Sequence, residues 1–126
     1  MKRITITAGD ITCPGELADT PCAQAIWAVL PFSRRLQTWG DEIYFPIPVN
    51  HGLDSTAREL VGSGNLGYWP EGPAFCIFFG PTPISKENEI RAASPVNIIG
   101  KIMGDPTVFR TVPPGTMIIV TKQGDE

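Results

Sequence analysis

The sequence predicts a mainly β fold, and three observations carry that expectation. The 13 glycines and 13 prolines in 126 residues exceed the ordinary usage of about 7% and 5%, so the chain turns often. Its apolar residues come in runs of strand length separated by turn chemistry, whereas a helical bundle needs far fewer such breaks. The stretch from Gly64 to Pro83 reads as a hairpin, with two apolar arms on either side of Pro70-Glu71-Gly72-Pro73. In that turn proline sets φ at one corner and glycine permits positive φ at another. The second arm, Ala74 to Phe79, is continuously apolar and rich in aromatics, the pattern of a strand buried on both faces. A chain of this length fits one domain over residues 1–126, large enough for a single core.

The elements follow in order. Arg3 to Ala8 alternates polar and apolar residues, and Gly9-Asp10 turns it into Ile11-Thr12-Cys13, giving an opening hairpin. Thr20-Pro21 is an N-cap followed by proline at the first helical position, where a missing N–H costs nothing. The helix that follows presents Ala23, Ile26, Trp27 and Leu30 on one stripe and stops at Pro31. Ser33 to Gln37 reads as a polar strand entering at the surface. Over residues 42 to 48 the period returns to 2, so Glu42, Tyr44 and Pro46 share one face while Ile43, Phe45 and Ile47 share the other. Pro46 and Pro48 place the end of this strand at a rim, because neither can donate to a ladder.

Asn50 to Ser55 is a loop carrying the one histidine, His51, and Thr56 to Val61 is a short strand. Beyond the central hairpin, the charged residues Lys86, Glu87, Glu89 and Arg91 mark Ile84 to Ala93 as a solvated excursion. A strand from Val96 to Met103 follows, with Val96, Ile98 and Ile102 on one side and Asn97, Ile99 and Lys101 on the other. Asp105-Pro106 starts a helical turn, and Pro113-Pro114-Gly115 leads into a terminal strand, Thr116 to Thr121. The total is about eight strands and two short helices.

The net charge of −3 and pI near 5.1 provide no basic surface to neutralise phosphates, which argues against nucleic acid and anionic membranes as partners. No apolar run reaches the eighteen or so residues needed to span a bilayer, and Met1-Lys2-Arg3 leads into alternation instead of a signal block. A cytoplasmic protein is expected. Cys13, Cys22 and Cys76 lack metal spacing and read as buried small hydrophobes, so neither a metal nor another cofactor is called for.

Candidate site residues lie in the strand at residues 42 to 48 and around the hairpin. Glu42 and Tyr44 project together and form the catalytic candidates, a carboxyl and a phenol able to orient or protonate a substrate. Trp39, Tyr68 and Trp69 border turns, where aromatic rings bind apolar or planar groups, and Phe79 ends the buried arm beside them. Asn97 interrupts an apolar strand; its amide either pins a neighbouring loop or addresses a ligand, since buried it must be satisfied. His51, by its near-neutral pKa, is a weaker candidate base.

Three pieces taken together, Thr38-Trp39-Gly40-Asp41-Glu42-Ile43-Tyr44-Phe45, then Gly67-Tyr68-Trp69-Pro70 with Phe75 to Pro83, then Ala93 to Ile102, resemble a prokaryotic family of stand-alone cyclophilin-like proteins without an established function. The resemblance covers the chain from about Thr38 onward; the first thirty-seven residues match only in the order of elements. It implies a closed cyclophilin-like β-barrel of about eight strands capped by two short helices. It also implies a variant that is not an efficient prolyl isomerase. Cyclophilin isomerases set a catalytic arginine among Phe, Met and Gln, and Arg34 and Arg35 lack those companions.

The sequence reading is therefore a barrel that binds a small molecule or short peptide in a concavity lined by Trp39, Glu42, Tyr44, Tyr68, Trp69, Phe79 and Asn97. Two alternatives accompany it. One is an acid–base hydrolase or isomerase of a small metabolite using Glu42 and a tyrosine. The other is a non-catalytic partner subunit, by analogy of fold alone.

Overall fold

The computed structural model describes residues 2–123. Among them are ten strands: β1 (Lys2–Ala8), β2 (Ile11–Leu17), β3 (Phe32–Arg35), β4 (Gln37–Thr38), β5 (Glu42–Pro46), β6 (Arg58–Val61), β7 (Asn65–Trp69), β8 (Ala74–Phe78), β9 (Ile90–Ile102) and β10 (Met117–Lys122). One α-helix, α1 (Pro21–Ala28), and one 3₁₀ helix, Pro106–Thr111, complete the set. Both helices start as their sequences imply: Thr20 Oγ1 accepts from Ala23 N at 3.2 Å, Asp105 Oδ1 accepts from Thr107 N at 3.0 Å, and a proline stands at the first helical position of each.

The strands form a mainly β, antiparallel sheet in the order β3-β10-β1-β2-β9-β7-β8-β5-β4, with β6 added alongside β9. Its two outermost strands, β3 and β4, are separated in the chain by Leu36 alone. The sheet therefore rolls until its edges adjoin, and Phe32 of β3 meets Phe45 of β5 edge to face across the interior, with ring centroids 6.4 Å apart. The expected hydrogen-bonded closure is absent, because no ladder joins β3 to β4. Leu36 instead donates to Thr116 O at 3.0 Å and accepts from Gly115 N at 2.8 Å. Its backbone groups are thus spent on the turn before β10, and the seam is sealed by the buried Leu36 side chain. The strands number ten against the expected eight or so; Thr56 to Val61 is met by β6, whereas the two-residue β4 is too short to stand out as a periodic pattern.

The main core fills the interior of the roll and includes Ile4, Ile6, Leu17, Ile26, Leu36, Ile43, Phe45, Leu66, Tyr68, Phe75 and Ile118. A second apolar cluster, Ala74, Cys76, Phe78, Ala92 and Val96, lies on the opposite face, with Tyr44 and Trp69 packed against it. Strand β8 divides its residues between the two, Phe75 and Ile77 inward and Ala74, Cys76 and Phe78 outward, which is why its sequence shows no alternation. Phe45 and Phe75, paired in the β5–β8 ladder, stack with centroids 5.2 Å apart.

Two expectations are corrected at β9. The supposed excursion ends earlier than its charges suggest, because Ile90 to Ala93 belong to this 13-residue strand and Ala92 is buried. The facing of the strand also changes along its length. Leu66 pairs with Gly100 but Gly67 pairs with Ile98, so one extra residue is accommodated there, as in a β-bulge. Ile102 consequently joins the main core with Ile99, while Val96 belongs to the second cluster. Glycine is required at the bulge: a Cβ on Gly100 would run into the carbonyl oxygen of Glu16.

Candidate ligand pocket

The period-2 face of β5 places Glu42 and Tyr44 on the outer side of the sheet, and both line a cavity of about 220 Å³ together with Trp39, Trp69, Ala92, Ala93 and Val96. Trp39 arrives from the β4–β5 turn, where its N–H donates to Glu42 O at 2.9 Å. That turn depends on Gly40, whose φ is +61° and whose added Cβ would lie 2.8 Å from Pro81 O. Asp41 ties the turn to the end of β8, donating to Pro81 O at 2.9 Å and accepting from Phe79 N at 3.0 Å. Trp69, at the end of β7, is set by its indole N–H, which donates to Ser94 Oγ at 2.6 Å. Ser94 in turn donates to Glu71 Oε2 at 3.0 Å. One wall of the cavity is thereby fixed by hydrogen bonds and leaves apolar ring surface for a ligand.

Glu42 is the polar centre of this cavity. It is 7% exposed, and burial pushes its carboxyl up from the ordinary 4.5 to about 7, with the thiol of Cys76 hydrogen-bonding to it and opposing the rise. Burial also holds the Cys76 thiol well above its usual range, and the neighbouring Glu42 adds to that, so Cys76 stays protonated as the donor. The two are brought together by the β5–β8 ladder, in which Glu42 pairs with Phe78 and Tyr44 with Cys76. A carboxyl of this kind is about half protonated at neutral pH and can both donate and accept a hydrogen bond.

Not all the residues proposed from sequence meet here. The cavity gathers Trp39, Glu42, Tyr44 and Trp69, whereas Tyr68, Phe79 and Asn97 are absent from its lining. Tyr68 neighbours Trp69 in a strand, and adjacent residues of a strand face opposite ways. Its ring is fully buried in the main core, and its hydroxyl accepts from His51 N at 3.0 Å and donates to Val49 O. Phe79 packs in the same core, its ring centroid 6.1 Å from that of Phe109. Asn97 pairs with Tyr68 across the ladder and takes the loop-pinning role: its Nδ2 donates to Gly52 O at 2.9 Å and its Oδ1 accepts from Asp54 N at 2.8 Å. His51 belongs to that loop, its Nδ1 at 2.8 Å from Gly52 O.

Sequence reasoning missed Ala92 and Ala93 because the charges around them masked the start of β9, the Ala-Ala pair inside a charged stretch being the available sign; Val96 was read in a strand but not as a site residue. A second, shallower depression of about 300 Å³ adjoins the first. It is lined by Tyr44, Pro46, Trp69, Glu71, Gly72, Pro73 and Ala74, so Tyr44 and Trp69 form the ridge common to both. The Pro-x-Gly-Pro turn of the central hairpin thus forms part of the site. All three cysteines are free and buried. Among the described residues, no three His, Cys, Asp or Glu side chains gather as a metal ion would require.

A mainly β, rolled antiparallel sheet with two short helices is a cyclophilin-like fold. The chain belongs to the cyclophilin-like family, whose model matches residues 2–121. It is similar to the solution structure of a hypothetical protein from Archaeoglobus fulgidus, with 35% sequence identity and a TM-score of 0.80 over 96% of this chain and 94% of that one. The likeness takes in the first thirty-seven residues, where the sequence showed only a common order of elements. No curated protein matches the chain.

Proposed function

We propose that this domain binds a small molecule or a short peptide segment in the cavity walled by Trp39, Tyr44 and Trp69, with Glu42 as its polar anchor. We further propose that it is not an efficient prolyl isomerase. The observation that carries the reading is a buried glutamate opening into an apolar, aromatic cavity, the usual composition of a ligand site in which a few polar groups fix orientation. The volume lies below the roughly 300–1,000 Å³ typical of pockets for drug-sized molecules, which suits a small head group. Among the described residues no arginine lines the cavity.

Acid–base catalysis at the same place is the second reading, favoured by the Glu42 carboxyl near 7, because a proton-transfer group works best when its pKa lies near the working pH. A thermal-shift screen of small metabolites and short peptides tests the binding reading, since a ligand that binds only the native state raises the melting temperature by mass action. Hits are expected to lose their effect in Trp69→Ala and in Glu42→Gln, and a proline test peptide is expected to isomerise no faster with protein than without. Hits that bind both variants as well as the wild type would place the site elsewhere. A clear acceleration of the peptide would return the domain to isomerase chemistry.

A further inference from the structure

The cavity and its neighbour share one chemical bias. Both are acidic and aromatic, with Glu42 in one, Glu71 in the other, and the Tyr44–Trp69 ridge between them. No lysine, arginine or histidine lines either among the described residues. Three arginines stand close to the cavity residues in the chain or the fold: Arg58, opposite Val96 in the β6–β9 ladder, is exposed and absent from the cavity lining, and the other two are engaged elsewhere. Arg91, next to Ala92, binds Glu89 at 2.9 Å and Glu59 at 3.2 Å. Arg110 binds Asp41, the residue before Glu42, at 3.2 Å. Glu42 is therefore left as a buried carboxyl whose hydrogen-bonding side-chain partner is a neutral thiol.

From this arrangement, and resting on the pocket-binding reading above, we infer that the ligand is an organic cation. Its ammonium or guanidinium group enters the cavity against Glu42, and its aliphatic body crosses the Tyr44–Trp69 ridge toward Glu71. A charge buried without a counter-charge is costly, and a cation supplies the missing partner together with charge-assisted hydrogen bonds. Aromatic rings contribute further attraction, since their faces are electronegative and favour cations, the more so when water is excluded. An anionic ligand would meet a carboxyl with no positive side chain to offset it, and a neutral apolar ligand would leave Glu42 buried without an answering group. The anchor at the far end is positioned as well: Ser94 donates to one oxygen of Glu71 and accepts from Trp69, so the ridge and the second carboxylate are held as a unit.

The cation also accounts for how the site would respond to pH. Besides Glu42, the ionisable groups lining the two cavities are Tyr44 from β5 and Glu71 from the β7–β8 turn; Cys76 from β8 neighbours Glu42 without lining either, and Arg58 of β6 stands opposite Val96. Of these, Glu42 titrates near neutrality. A cation binds the carboxylate form, so its affinity falls as acid protonates Glu42, by roughly thirtyfold between pH 8 and pH 5.5 for a group with a pKa near 7. Binding below neutrality releases a proton.

The test is calorimetric titration of the intact chain at pH 8 with four probes: 1,5-diaminopentane, n-pentylamine, the neutral isostere 1,5-pentanediol, and the peptide acetyl-Gly-Lys-Gly-amide. Both amines are expected to bind at least tenfold more tightly than the diol. Glu42→Gln, checked for folding by circular dichroism, is expected to lose tenfold or more for the amines and to abolish the pH dependence. Glu71→Gln is expected to weaken the diamine about threefold and leave n-pentylamine unchanged. Tighter binding of the peptide than of the diamine identifies a lysine side chain as the source of the cation, and the reverse identifies a free amine. A diol that binds as well as the diamine, or amine binding unaffected by Glu42→Gln, overturns the cation inference. If neutral planar compounds bind in a Trp69-dependent way while amines do not, the cation inference falls and the pocket stands. If neither class binds, both fall.

Discussion

Glu42→Gln removes a buried carboxyl that has no salt-bridge partner, and its effect on stability is calculable. The carboxyl rises from 4.5 to about 7 on folding, so between those pH values the folded chain holds a proton that the unfolded chain has released. With more protons bound in the native state, stability falls as pH rises, by about 1.4 kcal/mol per pH unit. The full penalty is absent below about pH 4.5, accumulates to about 3 kcal/mol by neutrality, and stays constant above about pH 8. Glutamine keeps the shape and a hydrogen-bonding oxygen but has no proton to lose. The other titrating groups are common to both proteins, so they cancel in the difference between their unfolding free energies. Urea unfolding of both proteins at pH 4.5, 6, 7 and 8 should show the variant gaining about 3 kcal/mol on the wild type between the lowest and highest values. A difference that stays flat across this range would mean that Glu42 is solvated, and the cavity reading would lose its centre.

Other consequences are structural. Asn97→Ala empties a fully buried position and leaves the partly buried Gly52 O and Asp54 N without their partner, which should cost about 1–3 kcal/mol; limited proteolysis should then cut within residues 50–57, and an unchanged cleavage pattern would contradict the pinning role. Gly100→Ala forces a methyl against the Glu16 carbonyl at the β2–β9 approach, and should destabilise by about 3 kcal/mol or more, measured by urea unfolding. Arg110→Ala breaks only a half-exposed pair with Asp41 and should change stability by less than about 1 kcal/mol, so a larger loss would show that the β4–β5 turn depends on that contact.

Much of the site was legible because strand periodicity is local. The alternation over residues 42 to 48 put Glu42 and Tyr44 together opposite Ile43 and Phe45, and β5 arranges them in that way. The Pro70–Pro73 turn and the buried arm after it were equally readable, since turn chemistry acts over four residues. Adjacent aromatics were harder. Tyr68 and Trp69 both looked like rim residues, yet successive side chains of a strand must diverge, and nothing in the local pattern says which of the two faces carries the larger core. The facing of Ile102 was illegible for a related reason: the bulge at Ile99–Gly100 turns the end of β9 over, and a bulge is defined by the partner strand as much as by its own residues.

By itself the amino-acid order determined the strand-rich class, the helix start at Thr20-Pro21, the central hairpin and the shared face of Glu42 and Tyr44, because each follows from interactions within a few residues. Only the tertiary structure decided that Ala92, Ala93 and Val96 complete the cavity, that the roll is sealed at Leu36 without a closing ladder, and that Glu42 holds its proton near neutrality. Those properties arise from residues distant in the chain converging to exclude water, and both desolvation and strand pairing depend on the whole surroundings of a group instead of its neighbours in sequence.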